Sequence, residues 1–222
     1  MQVPIVKTET NIFTDTVYVN FQKNSLSGSA KADFQGYAAR FIKEYLRNLD
    51  PETKNKFYQS IFQKGNKQSS VSVNNISGLD NRDTTLVIDY DFNIPGYLKI
   101  KDENIYFNPF LKKDHSEEKI NTSTEKLDKA NQYKKTDRTV TIFNIPKGYT
   151  LDYLPESISN STDFFSYSIE LSYNKTTNQI TTVTEFQTDH LILSNKDFES
   201  WNVIIKELNE IYSELIILKK TN

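Results

Sequence analysis

The chain has two histidines, His115 and His190, and no cysteine in 222 residues. Without cysteine there is no disulfide, no thiolate metal site and no cysteine nucleophile. His190 follows Asp189 near the start of a strand, but neighbouring strand residues point to opposite faces, so this adjacency makes no dyad. His115 lies in the charged run 112–119 and is expected in water. Zinc usually takes several His or Cys ligands at short spacing, so two distant histidines predict no metal site. Nucleophilic serine chemistry has no G-x-S-x-G to present it, and the six glycines form no phosphate-cradling loop.

Carboxylates are plentiful, at 29. Asp89 and Asp91 fall on one strand face, where a wetted sheet surface is the plain expectation; acid-based hydrolysis stays as a third reading, since it needs two carboxyls about 5–10 Å apart. The stretch Asp80-Asn81-Arg82-Asp83 is oxygen-rich enough to suggest calcium, but Arg82 stands in its middle and a turn is expected. Tyr18, Tyr97, Tyr106 and Tyr153 are candidates for a glycan-binding platform, against the commoner role of cross-strand packing. The residue types therefore predict no catalytic, cofactor-binding or metal centre in this chain. Its net charge of −2, with no basic stripe, predicts no nucleic-acid partner. No apolar run approaches the ~20 residues of a membrane helix. The start, Met1 to Val6, lacks the charged and apolar segments of a secretory leader and reads as a trimmed terminus with Met1 added.

Any binding surface must be positioned by elements of two periods. Thr14 to Phe21 alternates as a half-buried strand, Asn24 to Gly28 reads as a turn, and Ser29 to Gln35 as the return. From Gly36 the period becomes helical. Tyr37, Phe41, Tyr45 and Leu49, with Ile42 and Leu46, predict a buried face on a helix over 36–49. Asp50-Pro51 caps a second helix over 51–64, with Phe57, Tyr58, Ile61 and Phe62 buried and Gly65 as its stop. Strands return at Ser70 to Ile76 and Thr84 to Phe92, then as a hairpin around 101–103. The stretch 112–137 is charged, with Ile120, Leu127 and Tyr133 as its large apolar residues; it reads as an exposed linker or long loop, with a ligand-facing loop as the alternative. Strands follow at Arg138 to Ile145, Tyr149 to Leu154, Phe165 to Tyr173 and Ile180 to Phe186, and a short one at His190 to Leu193. A final helix over about 195–213, capped by Ser194 or Asn195, carries Trp201 on a broad apolar stripe, expected to be buried against a sheet rather than offered to a partner. Residues 215–218 could leave it as a terminal strand. The fold class is α+β, mostly antiparallel, in sheet or sandwich-like units. One unit spans 1–110 with the helical hairpin, a charged linker or loop spans 111–136, and an antiparallel unit with the last helix spans 137–222.

Three segments occur in a telling order: Asn104-Ile105-Tyr106-Phe107-Asn108-Pro109-Phe110, then Pro146-Lys147-Gly148-Tyr149 with Leu154-Pro155, then the Trp201 helix followed by Ile216-Ile217-Leu218. They resemble the C-terminal region of large transglutaminase-like proteins of Gram-negative bacteria, in which a β-rich domain of unknown function precedes a papain-like core and a further β-rich region follows it. Gly36 to Arg40 is similar to the segment just after that core. Between Phe110 and Arg138 the family's Pro- and Arg-bearing stretch has no counterpart here. The family's Cys-His-Asp set belongs to the core, and this chain has no cysteine to receive it. The resemblance implies a non-catalytic accessory region in an exported, periplasmic or cell-surface setting. Its partner would be the catalytic domain of the same natural chain, which it would brace or supply with substrate. A free-standing glycan- or peptide-binding module is the alternative.

Overall fold

Strand alternation decides the first hairpin. In the computed structural model, which describes residues 8–221, β1 (Ile12–Gln22) passes through Lys23 and Asn24 into β2 (Ser25–Phe34), with Gln22 opposite Ser25. The turn is therefore tighter than expected, and Gly28 lies inside β2 opposite Val19. A Cβ at Gly28 would stand 1.8 Å from the Tyr18 carbonyl oxygen, so this glycine serves the close approach of two strands rather than a bend.

Next come α1 (Gly36–Arg47), α2 (Pro51–Phe62), β3 (Ser70–Ser77), β4 (Leu86–Ile94), β5 (Lys99–Lys101) and β6 (Asn104–Phe107). Asp50 caps α2: its carboxylate accepts from the Thr53 amide at 3.0 Å and from the Thr53 hydroxyl at 2.6 Å, and these bonds hold it below the usual carboxylate range. The helix ends at Phe62, before Gly65, whose φ of +67° instead shapes the turn in which its N–H donates to the Leu111 carbonyl at 2.6 Å. The later elements are β7 (Lys129–Ala130), β8 (Lys135–Asn144), β9 (Tyr149–Tyr153), β10 (Ile158–Ser161), β11 (Phe165–Asn174), β12 (Gln179–Thr188), β13 (Ile192–Leu193), α3 (Phe198–Ile211) and β14 (Ile216–Lys220). Neither Ser194 nor Asn195 caps α3 through its side chain; a 3-10 turn leads in, and the Asn195 N–H donates to Asp128 from the long loop at 2.8 Å.

The protein is α+β and mostly antiparallel. Eight strands form one sheet in the order β10-β11-β12-β8-β1-β2-β4-β3, with β1 and β8 parallel and every other pairing antiparallel. Strands from 1–110 and from 137–222 thus share a sheet. A second sheet, β5-β6-β14-β9, crosses the same divide, and β7 pairs with β13. The register puts Val17, Ala30, Tyr90, Thr141, Thr182 and Leu171 on one face of the large sheet, all buried. Three elements cover that face side by side. Phe62 of α2 stacks on Tyr90 at 4.2 Å, Phe107 of the small sheet meets Phe21 edge-on at 5.1 Å, and Trp201 of α3 meets Phe165 at 5.1 Å. The other face carries Thr16, Tyr18, Ser29, Asp91, Arg138, Ser168 and Glu185 toward solvent.

The 111–136 stretch is tied along α3 rather than left free. Tyr212 donates to the Asp114 carbonyl (3.1 Å), Asn209 to Ser116 (3.0 Å) and the Trp201 indole to Glu118 (2.8 Å). Asn202 clamps Ile120 by both backbone groups, each at 2.8 Å. This lacing overturns the expectation for His115. Its side chain is 10% exposed, its ring lies edge-on to Phe165, Phe186 and Trp201, and its Nδ1 sits 2.9 Å from Glu118.

Candidate functional site

The first helix buries the face that its sequence does not advertise. Ala39, Lys43 and Leu46 are buried, whereas Tyr37, Phe41 and Tyr45 are 37%, 48% and 50% exposed. At 100° per residue the two sets stand on nearly opposite sides. The cause is that two alanines permit close approach to the sheet, and Lys43 has acceptors beneath it: its ammonium donates to the carbonyls of Asn81, at 2.7 Å, and Thr84. Gln35 gives no side-chain cap; Asn11, just before β1, accepts from the Tyr37 amide at 2.9 Å and fixes the helix start.

The aromatic stripe continues beyond the helix. Tyr133, from the end of the long loop, stacks near Phe41 at 6.1 Å and tilts against Tyr37 at 5.7 Å, and at the other end Phe57 of α2 meets Tyr45 at 5.1 Å. Between α1 and Tyr133 runs a groove of about 230 Å³, with Phe13, Phe34, Ile61 and Phe62 in its lining and Lys112, Lys135 and Asp137 among its charged residues. Lys135 and Asp137 pair at 2.6 Å, and the Lys112 ammonium stands 5.6 Å over the Phe13 ring while pairing with Asp114 at 2.9 Å. Burial raises the Tyr133 phenol above its usual pKa, so it stays a neutral hydrogen-bond donor. An apolar floor with a few paired charges at the edge suits insertion of apolar side chains from a polypeptide.

Below the groove is a polar centre that sequence patterning missed. Asp15, on the inward face of β1, pairs with Lys64 at 2.8 Å and accepts from the Tyr90 phenol at 2.7 Å. Both ionic side chains are under 5% exposed, and Asp15 Oδ1 has no partner among the described residues. Burial, helped by the Asp15 charge, pushes the Tyr90 phenol far above its usual range. The lone signal in sequence is an aspartate at an inward strand position.

The other sequence candidates sort plainly. His190 donates from Nδ1 to the Phe164 carbonyl at 2.7 Å and accepts at Nε2 from Asn131 at 2.8 Å, while Asp189 accepts from Thr8, so the pair is no dyad. Asp89 and Asp91 lie on the outer face of β4, and Asp89 accepts from Asn75 at 3.1 Å. The carbonyls that could have served calcium at 79–84 are taken by Lys43 and Arg47. Among the described residues no three His, Cys, Asp or Glu side chains gather as a metal site. The four tyrosines do not form one platform: Tyr18 is on the large sheet and Tyr97 donates inward to the Asn108 carbonyl, but Tyr106 and Tyr153 flank Ile217 in a row across the small sheet.

The motif residues Asn108 and Phe110 sit where α3 becomes β14, and the others lie elsewhere. Asn108 donates to the Tyr212 carbonyl at 2.7 Å and accepts from the Phe110 amide at 2.9 Å, while the buried Phe110 ring lies edge-on to Tyr212. Pro109 accepts from the Leu111 amide at 3.2 Å and Pro146 from the Tyr149 amide at 3.1 Å. Gly148, at φ +82°, accepts from Thr221 beside the end of β14; Leu154 packs on the core, Pro155 is buried and Trp201 is 6% exposed.

The family model described as a domain of unknown function with solved-structure structure, DUF3858, matches residues 103–218. The chain belongs to that family. The match spans all three motif segments and leaves α1, with Gly36 to Arg40, outside the DUF3858 region, while the groove draws its lining from both sides of that boundary. No curated protein matches the chain. A crystal structure of a candidate protease from Parabacteroides distasonis aligns over 54% of this chain, with 11% identity and a TM-score of 0.42. The chain covers 24% of that protein's length.

Proposed function

We propose that this chain is a non-catalytic accessory region of a transglutaminase-like protein, and that it docks the catalytic core, or polypeptide bound for it, through the α1 groove. The observation that carries this is the aromatic stripe of α1. A helix with an apolar face of its own in the core keeps three large rings on the opposite side, beside an apolar groove. Exposed aromatic clusters of this kind mark interaction surfaces. Membership of DUF3858 and the ordered motifs support the transglutaminase-like setting, and with it an exported, periplasmic or cell-surface location; the absence of cysteine supports a non-catalytic role.

The test expresses a transglutaminase-like core with and without this region and measures stability, substrate binding and turnover. Phe41→Ser with Tyr45→Ser should reproduce the loss seen on removing the region while leaving the region's own fold intact. If the core behaves identically in all three forms, the docking role fails. The row Tyr106–Ile217–Tyr153 favours a second reading, a glycan- or peptide-binding module, because rings aligned across strands make a flat platform. Arrays probed with the intact chain, against Tyr106→Ser and Tyr153→Ser, decide it; background binding alone would end it.

A further inference from the structure

Arginine occurs at four positions, Arg40, Arg47, Arg82 and Arg138, and three of them line adjoining clefts beside α1. Arg47 donates to the carbonyls of Leu79 at 2.9 Å and Asp80 at 3.1 Å, and buried Lys43 donates to those of Asn81 and Thr84. These two cations hold the 79–84 loop against the helix, and the loop sets Arg82 into the clefts that Arg40 also lines. One cleft, of about 570 Å³, adds Tyr37, Thr85, Glu9 and Asp83, and the other, of about 330 Å³, adds Glu44. Among the described residues no carboxylate lies within ion-pair distance of Arg40, Lys43, Arg47 or Arg82. Among the described residues the Arg40 and Arg82 guanidinium groups have no hydrogen-bond acceptor and the Thr85 hydroxyl has no partner.

The smaller cleft sets Arg40, Lys43, Arg47 and Arg82 around the single carboxylate of Glu44, a net positive lining that attracts an anion. Burial, and after it the Arg47 charge, lowers the Lys43 pKa, with Asp83 opposing. A guanidinium presents a planar fork matched to carboxylate and phosphate oxygens. We infer that the cleft between α1 and the 82–85 loop binds an oxyanion, a carboxylate or phosphate group, held by Arg40 and Arg82 with the Thr85 hydroxyl beside them. The cleft meets the apolar groove at Asn11, so a ligand could span both, but the oxyanion site stands independently of the docking reading.

The experiment titrates the intact chain with inorganic phosphate and with acetyl-diglycine as free carboxylate and as amide, followed by amide NMR shifts. Saturable shifts are expected at residues 36–40 and 82–85, weakened at least tenfold in Arg40→Gln and Arg82→Gln and unchanged in Lys206→Gln, an exposed cation on α3. Response to phosphate alone assigns a phosphate-bearing ligand, and response to the carboxylate but not the amide assigns a carboxylate; response to both supports a general oxyanion site. No saturable shift with either probe overturns the inference, as does equal weakening by Lys206→Gln. Both arginine side chains are exposed and make no bond among the described residues, so the variants retain the fold. A negative result here leaves the core-docking test untouched.

Discussion

At the scale of single residues, buried polar groups carry the most information. Asp15 and Lys64 are withdrawn from water together; among the described residues the Tyr90 phenol is the only further partner of the carboxylate, and one oxygen has none. Removing one member leaves an uncompensated charge in a low-dielectric interior, whereas removing both leaves none. Asp15→Ala should therefore cost about 3–5 kcal/mol in urea unfolding at neutral pH, and Asp15→Leu with Lys64→Met should recover most of that. A single-variant loss below about 1 kcal/mol would mean that water reaches the pair. Asn108 shows the same logic in neutral form: one amide satisfies a carbonyl at the end of α3 and an amide of the following loop, which explains a structural place for the Asn108-Pro109-Phe110 motif.

At the scale of elements, α3 and the long loop are one unit. A charged stretch with three large apolar residues has no period to fold by, yet it is ordered because Trp201, Asn202, Asn209 and Tyr212 each bond its backbone. Asn202→Ala should cost about 1–3 kcal/mol, since it strips both backbone groups of buried Ile120 of their partner. In hydrogen exchange the loss should appear as faster exchange over residues 116–122, with the large sheet still protected. Uniform acceleration across the protein would show instead that the loop is integral to global stability. The α1 aromatic stripe belongs to this scale too. Periodicity identified the helix but placed its rings on the buried face, because a helix with apolar residues on two sides has two candidate inner faces. The choice fell to Ala39, Leu46 and the Lys43 stem, because only that face finds acceptors for an ammonium at its edge.

For the whole molecule, the parallel pairing of β1 with β8 and the pairing of β6 with β14 interleave the two halves of the chain. Unfolding should be a single transition, coincident by near- and far-ultraviolet circular dichroism, and residues 1–110 expressed alone should fail to give it, having lost β8 and β14. A folded 1–110 fragment with native near-ultraviolet signal would refute this. Sequence by itself determined the α+β class, the helical hairpin with its Asp50 cap, the inward residues of β4, β11 and β12, and the burial of Trp201, because each is written in local period and capping chemistry. Tertiary structure alone decided which strands neighbour one another, which face of α1 looks outward, where His115 rests and how Arg40 comes to share a cleft with Arg82. Those outcomes depend on contacts between residues tens of positions apart, where the energy of pairing leaves no mark on local spacing.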